Sequence, residues 1–245
     1  MKIGYKGYTI KIQYDEDCES PREYDCFGHM ICFHNRHNLG DKHDYKEPLD
    51  LINEIASGAI FGGMGTLEMA LDTLWDETAV ALGQCFEKHQ IDFAEASRRL
   101  IDGLVEKSGA IILPLYVYEH GGITMSTGRF ACDSGGWDTS FVGYIYATKQ
   151  EALDNWGVKR MSAKVQSTTL NASGVEITKK VTIAEAAENL LRAEVAVYAQ
   201  YLEGDVYGYI IEDEAGNEVD SLWGLYGSDY CLQEAKNVVD GKLEE

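Results

Sequence analysis

The feature that most restricts the fold of this chain is a set of short segments in which apolar and polar residues alternate. In the stretch YTIKIQ, which begins at Tyr8, every second side chain is apolar. A period of two places those side chains on one face of a half-buried β-strand. Glycines and polar turns separate further strand-like segments, so the strands are expected to pair as antiparallel hairpins. The predicted strands cover residues 8–13, 30–34, 109–120, 123–127, 140–148 and, as one hairpin, 206–227.

Helical spacing of apolar residues is concentrated in residues 48–108, where a first helix is predicted to begin near Pro48. Another helix is predicted from about Lys149, the clearest helix covers residues 181–204, and a short helix closes the chain. Residues 157–180 are polar and give no clear signal, which predicts a flexible excursion.

Together these elements predict an α+β fold, with a mostly antiparallel sheet of about six or seven strands and helices packed on one side. We expect a single domain over residues 1–245, in which residues 48–108 form a helical insertion or subdomain. The strands arrive as hairpins and not as alternating βαβ units, which argues against a doubly wound nucleotide-binding fold.

Charge is the strongest global signal in the composition. The chain contains 41 Asp and Glu against 21 Lys and Arg, a formal net charge of −20, and residues 181–245 alone contain 15 acidic and 3 basic residues. Such a field repels nucleic acid and anionic membranes and attracts basic protein surfaces. Solubility is the simpler reason for the same charge. The sharper hypothesis is a basic protein partner, with no direct contact to nucleic acid or membrane.

The N-terminal stretch MKIGYKGYTIKI has no apolar signal core, and no run approaches the ~18 apolar residues of a membrane span. A soluble, unexported protein is therefore expected. The six cysteines are scattered among strand-like and helix-like patterns. They are interpreted as reduced, small apolar residues and not as a disulfide framework.

Acidic residues near the C-terminus form the first candidate site. They crowd the tip of the predicted 206–227 hairpin and line the helix before it, where Arg192 alone offers the pairing that normally compensates such charges. A basic partner would supply the missing counter-charge. The candidate binding residues are Glu185, Glu188, Glu212, Asp213, Glu214, Glu218 and Asp220.

Residues 23–45 form the second candidate, because they contain two cysteines and four of the six histidines. Zinc takes four such ligands, but the paired spacing of structural zinc sites is absent, so we expect no metal. The polar loop that follows the predicted strand either binds an anion or caps backbone groups with its side chains. The candidate binding residues of this loop are His34, Arg36, His37, Asp41 and His43.

The third candidate is the segment 119–138, which contains the residue types of a nucleophile, a base and an orienting carboxylate. No G-x-S-x-G turn surrounds Ser134. We therefore expect no catalytic residues and no cofactor. The alternative is an enzyme or ligand-binding domain that handles a small anionic molecule at the histidine-rich loop, with His37, His120 and Asp133 as its functional residues.

Several motifs occur in a characteristic order along the chain. They are P-R-E at 21–23, N-L-G-D at 38–41, L-P-L-Y at 113–116, H-x-G-I-T-M at 120–125 and V-G-x-I-Y at 142–146. Together they resemble the motifs of a family of uncharacterised accessory proteins of bacteriophages and prophages. The resemblance covers both ends of the chain and the middle strands, but not residues 48–108 or 157–180. This chain departs from the pattern in the stretch GGWDTSF after Ser134, so no role of that loop is transferred.

The resemblance implies a context, namely an accessory gene product that acts in the cytoplasm of a bacterial host. Accessory phage proteins of this size and acidity often disarm a host defence system by binding one of its proteins, an argument by analogy. We therefore expect an acidic inhibitor or modulator of host defence (anti-CRISPR, anti-restriction or similar). Its carboxylates would take the place of phosphates on a basic, nucleic-acid-binding surface.

Overall fold

The computed structural model describes residues 1–61, 103, 105–133, 135–170 and 176–244. The α-helices found there are α1 (Pro48–Phe61), α2 (Lys149–Asn155), α3 (Ile183–Glu203) and α4 (Ser228–Glu244), and Pro21–Glu23 forms a short 3-10 helix. The strands are β1 (Lys2–Tyr5), β2 (Tyr8–Tyr14), β3 (His29–Cys32), β4 (Ile111–Glu119), β5 (Ile123–Ser126), β6 (Thr139–Ala147), β7 (Lys164–Leu170), β8 (Glu176–Thr182), β9 (Val206–Glu212) and β10 (Glu218–Tyr226).

The fold class is confirmed as α+β with mostly antiparallel sheets, but the prediction of one sheet of six or seven strands is wrong. The described strands form a four-stranded sheet in the order β1-β2-β9-β10, another in the order β3-β6-β4-β5, and a two-stranded sheet of β7 and β8. In the first sheet β2 pairs with β9, with Thr9 opposite Glu212. Such a pair joins the two ends of the chain, and an alternating pattern does not specify a partner so distant in sequence.

These elements divide into two compact units. The first unit comprises residues 1–26, 115–141 and 192–245, and the second unit comprises residues 27–114 and 142–191. By sequence, the first unit contains 22 Asp and Glu against 8 Lys and Arg, a formal charge of −14. The second unit contains 19 against 13, a formal charge of −6. Most of the net charge therefore belongs to the first unit.

The core of the first unit lies between α4 and one face of the first sheet. Ile10 and Ile12 of β2 and Ile211 of β9 pack in one cluster with Ala235 and Val239 of α4. All five side chains are almost completely buried. The alternation that predicted β2 is therefore explained by the helix that covers one face of its sheet.

Glycine turns close both hairpins of the first sheet. At the predicted Lys6–Gly7 turn both residues have positive φ, 47° and 84°. This is the geometry of the tight turns that match strand twist, and it sets Tyr5 opposite Tyr8. Gly216, also with a positive φ, lies in the predicted turn between β9 and β10.

Two apolar clusters form the core of the second unit. One joins Ile31 of β3 to Leu51 and Ile55 of α1. The other brings Ala152 of α2 against Ile183 of α3. The prediction that a helix begins at Pro48 is confirmed, whereas the helices predicted after residue 61 lie largely outside the described residues.

Capping residues determine where α2 and α3 begin. Thr148 and Glu151 form a reciprocal capping box at α2. Thr182 and Glu185 make the equivalent contacts at α3, where the Thr182 backbone N–H donates to Glu185 Oε2 at 2.8 Å. No helix in the described ranges combines the length and the apolar character that crossing a membrane requires.

Two strand predictions need correction. The strand predicted at residues 30–34 runs from His29 to Cys32, because the chain turns after Cys32 into the histidine loop. Residues 157–180 were expected to be a flexible excursion, yet much of this stretch belongs to the paired strands β7 and β8. The polar character of these strands concealed them, since their outer face is not buried.

Candidate functional sites

The histidine loop, residues 34–43, closes along the outer edge of β3. The backbone N–H of Asp41 donates to the Met30 carbonyl at 2.7 Å, and the Met30 N–H donates to Asp41 Oδ2 at 2.7 Å. Gly40 has φ +69°, and a Cβ at this position would lie 2.3 Å from the Met30 carbonyl oxygen. Leu39 is buried beside it. The N-L-G-D motif therefore has a structural role, because it caps an edge strand.

The histidines of this loop bond to its own backbone. His34 Nδ1 accepts hydrogen bonds from the backbone N–H groups of Arg36 (3.3 Å) and His37 (3.1 Å), and the two imidazole rings stack 5.2 Å apart. His43 Nε2 donates to the Cys32 carbonyl at 2.9 Å. These contacts favour the capping role over an anion site for His34, Arg36, His37, Asp41 and His43, whose binding role stays a prediction.

The described part of the chain contains no group of three or more His, Cys, Asp and Glu side chains that could hold a metal ion. The cysteines at 18, 26, 32, 132 and 231 are free thiols. Cys32 and Cys231 are buried as the sequence predicts, but Cys132 is exposed and does not serve as a core residue.

Asp133 organises the loop between β5 and β6, which we call the aspartate loop (residues 131–138). Its Oδ1 accepts from the Trp137 N–H at 3.1 Å, and its Oδ2 accepts from the N–H groups of Asp138 (2.9 Å) and Thr139 (2.8 Å). Burial raises the pKa of Asp133, but the hydrogen bonds from Thr139, Asp138 and Trp137 outweigh it and lower the pKa below its ordinary value. Asp133 is thus a structural anion of the loop.

His120 and Asp138 form a histidine–carboxylate pair, which is the chemical combination that a base and its orienting group require. His120 Nδ1 lies 3.0 Å from Asp138 Oδ2, and the histidine side chain is 72% exposed. The ring of Tyr118 stacks on the imidazole at 6.1 Å. The Ser126 hydroxyl accepts from the Gly128 N–H, and residue 134 lies outside the described chain. His37, the third residue of the enzyme alternative, belongs to the second unit and not to this one.

A cleft of about 460 Å³ lies beside the aspartate loop. Its walls include Tyr116, Phe130 and Phe141, together with Arg129 and Asp133. The Arg129 guanidinium lies 5.9 Å from the Tyr116 ring centre, and Phe141 meets the same ring edge-on. The cleft therefore combines aromatic walls with one cation, the chemistry that suits a planar anionic molecule.

The acidic residues of the β9–β10 hairpin mostly have local partners. Asp213 accepts two hydrogen bonds from Asn217, from its backbone N–H at 2.8 Å and from its side chain at 3.0 Å. Glu218 accepts from the Ser221 hydroxyl at 2.8 Å. These carboxylates stabilise the hairpin turn, and Glu214 is exposed at its tip.

Lysines compensate the remaining hairpin acids. Lys11 forms an ion pair with Glu212. Lys242 lies 3.9 Å from Asp220, which also accepts from the Tyr209 hydroxyl at 3.2 Å. The hairpin end of the first sheet is therefore less negative than its sequence indicates.

Glu185 and Glu188 do not belong to the same unit as the hairpin. Both lie in α3 within the second unit. Hydrogen bonds from Thr182 lower the pKa of Glu185, and the nearby Lys179 and Lys164 lower it further. Glu185 is thus a helix cap beside two lysines, and the acidic set chosen from sequence is divided between two units.

A second acidic group, which the sequence analysis did not select, lies at the opposite end of the first sheet. We call it the acidic end. It combines the turn after β2 with the end of α3, since the Asp15 N–H donates to the Val206 carbonyl at 2.9 Å. Asp15 Oδ2 also accepts from the Gly224 N–H at 3.0 Å. The run YDEDCE at residues 14–19 was the available signal. Its carboxylates are those of Asp15, Glu16, Asp17, Glu19, Glu203 and Asp205.

Exposed aromatic side chains accompany the acidic end. Tyr14 is 66% exposed and its ring centre lies 4.8 Å from that of Tyr207, and Tyr24 is 61% exposed and donates to Glu19 Oε2 at 2.8 Å. Trp223 is also partly exposed and lies over Gly208, where a Cβ would approach its ring to 2.2 Å. Large rings left open to solvent among carboxylates are typical of protein-binding surfaces.

Comparison of the chain with protein-family models, with curated proteins and with solved structures gave no match. The resemblance to phage accessory proteins therefore stays a prediction from the motifs.

Proposed function

We propose that this protein is an acidic accessory protein that binds a basic, nucleic-acid-binding surface of a host defence protein and blocks it. The observation that carries the proposal is the acidic end, where six carboxylates and exposed Tyr and Trp side chains occur together in the more acidic unit. The bacteriophage context comes from the motif resemblance.

The two ends of the first sheet differ in how many of their carboxylates are paired with lysines. At the hairpin end, Lys6 lies 2.9 Å from Asp240, and Lys11 and Lys242 lie beside Glu212 and Asp220. Within the described chain, no Lys or Arg forms an ion pair with the six carboxylates of the acidic end. A partner with arginines and lysines would supply these charges, and it would be attracted over long range at low salt.

The aromatic side chains add direct binding contacts to the electrostatic attraction of the acidic end. Tyr and Trp are enriched among the residues that dominate binding energy, because they bury much area with few rotatable bonds. Arginine of a nucleic-acid-binding groove stacks on such rings and pairs with carboxylates at the same time. The acidic end therefore suits an arginine-rich protein surface better than a cluster of carboxylates alone would.

Plaque formation tests this proposal. The protein is expressed in bacterial strains that carry a restriction or an RNA-guided nuclease, and each strain is challenged with a phage that its nuclease targets. We expect the protein to restore plaque formation in one of these strains. Failure in strains that cover each nuclease class would refute the inhibitor proposal.

Matched charge variants locate the surface. The double variant Glu16→Gln/Asp17→Asn removes two exposed charges from the acidic end, and Asp44→Asn/Glu47→Gln removes two exposed charges from the second unit. We expect the first pair to lose plaque restoration and the second to keep it. With the purified nuclease, inhibition should weaken steeply as the salt concentration rises. Inhibition that does not depend on salt concentration would contradict charge mimicry.

The cleft beside the aspartate loop supports a second candidate function, the binding of a small planar anion. Arg129 is the only Lys or Arg between residues 108 and 148, and the charge of Asp133 is already engaged by three backbone N–H groups. Calorimetric titration with a nucleoside monophosphate and with an aryl carboxylate tests it. Binding should disappear in Arg129→Gln and persist in Arg192→Gln; equal binding by both variants would exclude the cleft.

A further inference from the structure

One segment of the second unit has a net charge opposite in sign to that of the whole chain. Residues 157–182 contain five basic residues and one acidic residue, a formal charge of +4, whereas the whole chain carries −20. Within this stretch the structure pairs β7 with β8, and the loop before β7 contains the exposed Lys159 and Arg160. We call the two paired strands, residues 164–170 and 176–182, the basic ribbon.

The register of the ribbon separates its two faces. Lys164 lies opposite Thr182, Gln166 opposite Lys180, and Thr168 opposite Thr178, and cross-strand partners share a face. The hydroxyls of Thr168 and Thr178 are bonded at 2.8 Å. From the Lys164–Thr182 pair to the Thr168–Thr178 pair this face carries lysines and hydrogen-bonding side chains, and the next pair, Leu170 opposite Glu176, ends it.

The other face anchors the ribbon to the second unit. Val165 packs against the cluster around Ala152 and Ile183, and Val181 is buried. Further along this face, Lys179 and Ile177 are exposed. One end of the ribbon is thus held in the core, and the polar face is left open to solvent.

We propose that the polar face of the basic ribbon docks on the phosphate backbone of duplex DNA. Lys, Thr and Gln side chains contact phosphates, and they occupy the first three cross-strand pairs of the open face. A two-stranded antiparallel ribbon fits the major groove, and seven residues span about 23 Å. The proposal departs from the expectation, drawn from net charge, that this protein has no direct contact with nucleic acid.

The acidity of the rest of the chain does not exclude this contact. The screening length is about 8 Å at physiological ionic strength, so carboxylates beyond that distance contribute little to the field at the ribbon. Two acids lie at or near the ribbon: Glu176, at the far end of its polar face by register, and Glu185, whose pKa the nearby Lys164 and Lys179 lower. The ribbon would bind without sequence preference and weakly, in the range of about 10⁻⁴ to 10⁻⁶ M typical of backbone contacts.

Fluorescence anisotropy of a fluorescein-labelled random duplex, titrated with the full-length protein at several salt concentrations, tests the proposal. With Lys164 and Lys180 on phosphates, log affinity should fall with log salt at a slope of about −2. Lys164→Gln/Lys180→Gln should weaken binding about tenfold or more and flatten the slope by about 2. These lysines are exposed, so the fold should persist, and circular dichroism checks it.

Two further variants make the result specific. Lys42→Gln/Lys46→Gln removes two exposed lysines of the same unit outside the ribbon and should leave binding unchanged. Glu185→Gln keeps the capping box, because Gln serves at the same position, and should strengthen binding a few-fold by removing the nearby negative charge. An equal loss in both lysine pairs, or no effect of Glu185→Gln, would overturn the assignment.

A second copy of this chain, whose first unit carries −14, is the competing partner for a basic ribbon. Sedimentation of the protein alone decides between them. A salt-sensitive dimer that Lys164→Gln/Lys180→Gln dissociates, together with no DNA binding, would refute the DNA proposal. The inference is independent of the proposed inhibitor function, because neither measurement contains a nuclease.

Discussion

The histidine loop and the aspartate loop resemble each other in length and polarity and differ in what they leave exposed. The histidine loop contains three histidines, and the aspartate loop contains none. In the first, side chains of His34, Asp41 and His43 bond to backbone groups of the loop and of β3. In the second, Asp133 alone holds three backbone N–H groups, and Trp137 is left 91% exposed near a cleft.

The difference shows that residues able to bind a ligand do not mark a ligand site by their number. A loop must satisfy its own backbone polar groups, and side chains used for that purpose are unavailable to a ligand. The aspartate loop meets this requirement with one carboxylate. Trp137, and the cleft wall formed by Arg129, therefore stay available.

Glycine substitutions give the largest expected contrast between the two loops. Gly40 and Gly136 have similar positive φ values, +69° and +66°, but a Cβ at Gly40 would collide with the Met30 carbonyl, whereas nothing lies within 4 Å of one at Gly136. Gly40→Ala should cost about 3 kcal/mol and Gly136→Ala about 1 kcal/mol, measured by denaturant unfolding. Equal costs would mean that the histidine loop does not hold its edge-strand geometry.

The pH dependence of the unfolding free energy should reveal how much the ionised Asp133 carboxylate stabilises the fold. Its folded-state pKa is lowered, so the stabilisation is complete above the ordinary carboxyl pKa of about 4 and is lost as pH falls through the lowered value. The difference in unfolding free energy between the wild type and Asp133→Asn should therefore be constant above that pH and shrink below it. The exposed Asp44→Asn is the matched control, and a difference for Asp133→Asn that grows in acid would contradict the assignment.

Histidine variants should distinguish a histidine that caps backbone groups from one that is merely exposed in the histidine loop. His34→Ala removes the acceptor for two backbone N–H groups and should cost about 1 kcal/mol. His37 is exposed, and His37→Ala should stay within about 0.5 kcal/mol. Thermal unfolding of both variants measures this. A His37→Ala variant that unfolds as easily as His34→Ala would indicate that the ring stacking, and not the capping, holds the loop.

The smallest effect on stability is expected at Trp137. Trp137→Ala should change the unfolding free energy by less than about 0.5 kcal/mol, because the ring is almost fully exposed. It should also remove the tryptophan fluorescence that acrylamide quenches most readily, whereas Trp156→Phe, at a residue packed against Phe27, should not. Protection of Trp137 from quencher in the free protein would show that the aspartate loop is more closed than its geometry indicates.

The local elements of the fold could be predicted, because their signals are local. Alternation gave β2, glycine turns gave the hairpins at Lys6–Gly7 and Gly216, and Pro48 marked a helix start. The division into separate sheets could not, because the partner of β2 lies near the other end of the chain. The ribbon of β7 and β8 was concealed because its open face is polar from Lys164 to Thr168 and from Thr178 to Thr182, so no clear apolar period marks it.

The candidate sites could be predicted only as lists of chemically capable residues. Sequence pointed to His120 and Asp133 as an alternative site, but His120 pairs with Asp138, and Glu185 proved to be a helix cap. It could not show that Lys11 neutralises Glu212, because the two are brought together only by sheet pairing. The acidic end was missed for the same reason, since Asp15 and Val206 are brought together only in the folded sheet.

The cap formed by Gly40 and Asp41 has a consequence for the behaviour of the protein in concentrated solution. Residues 30–33, with the sequence MICF, are apolar and prone to β-structure, and β3 lies at the border of its sheet. A strand border of this kind, once uncovered, recruits other chains into aggregates. Variants that loosen the N-L-G-D segment should therefore first be noticed as precipitation on warming, before any loss of binding becomes measurable.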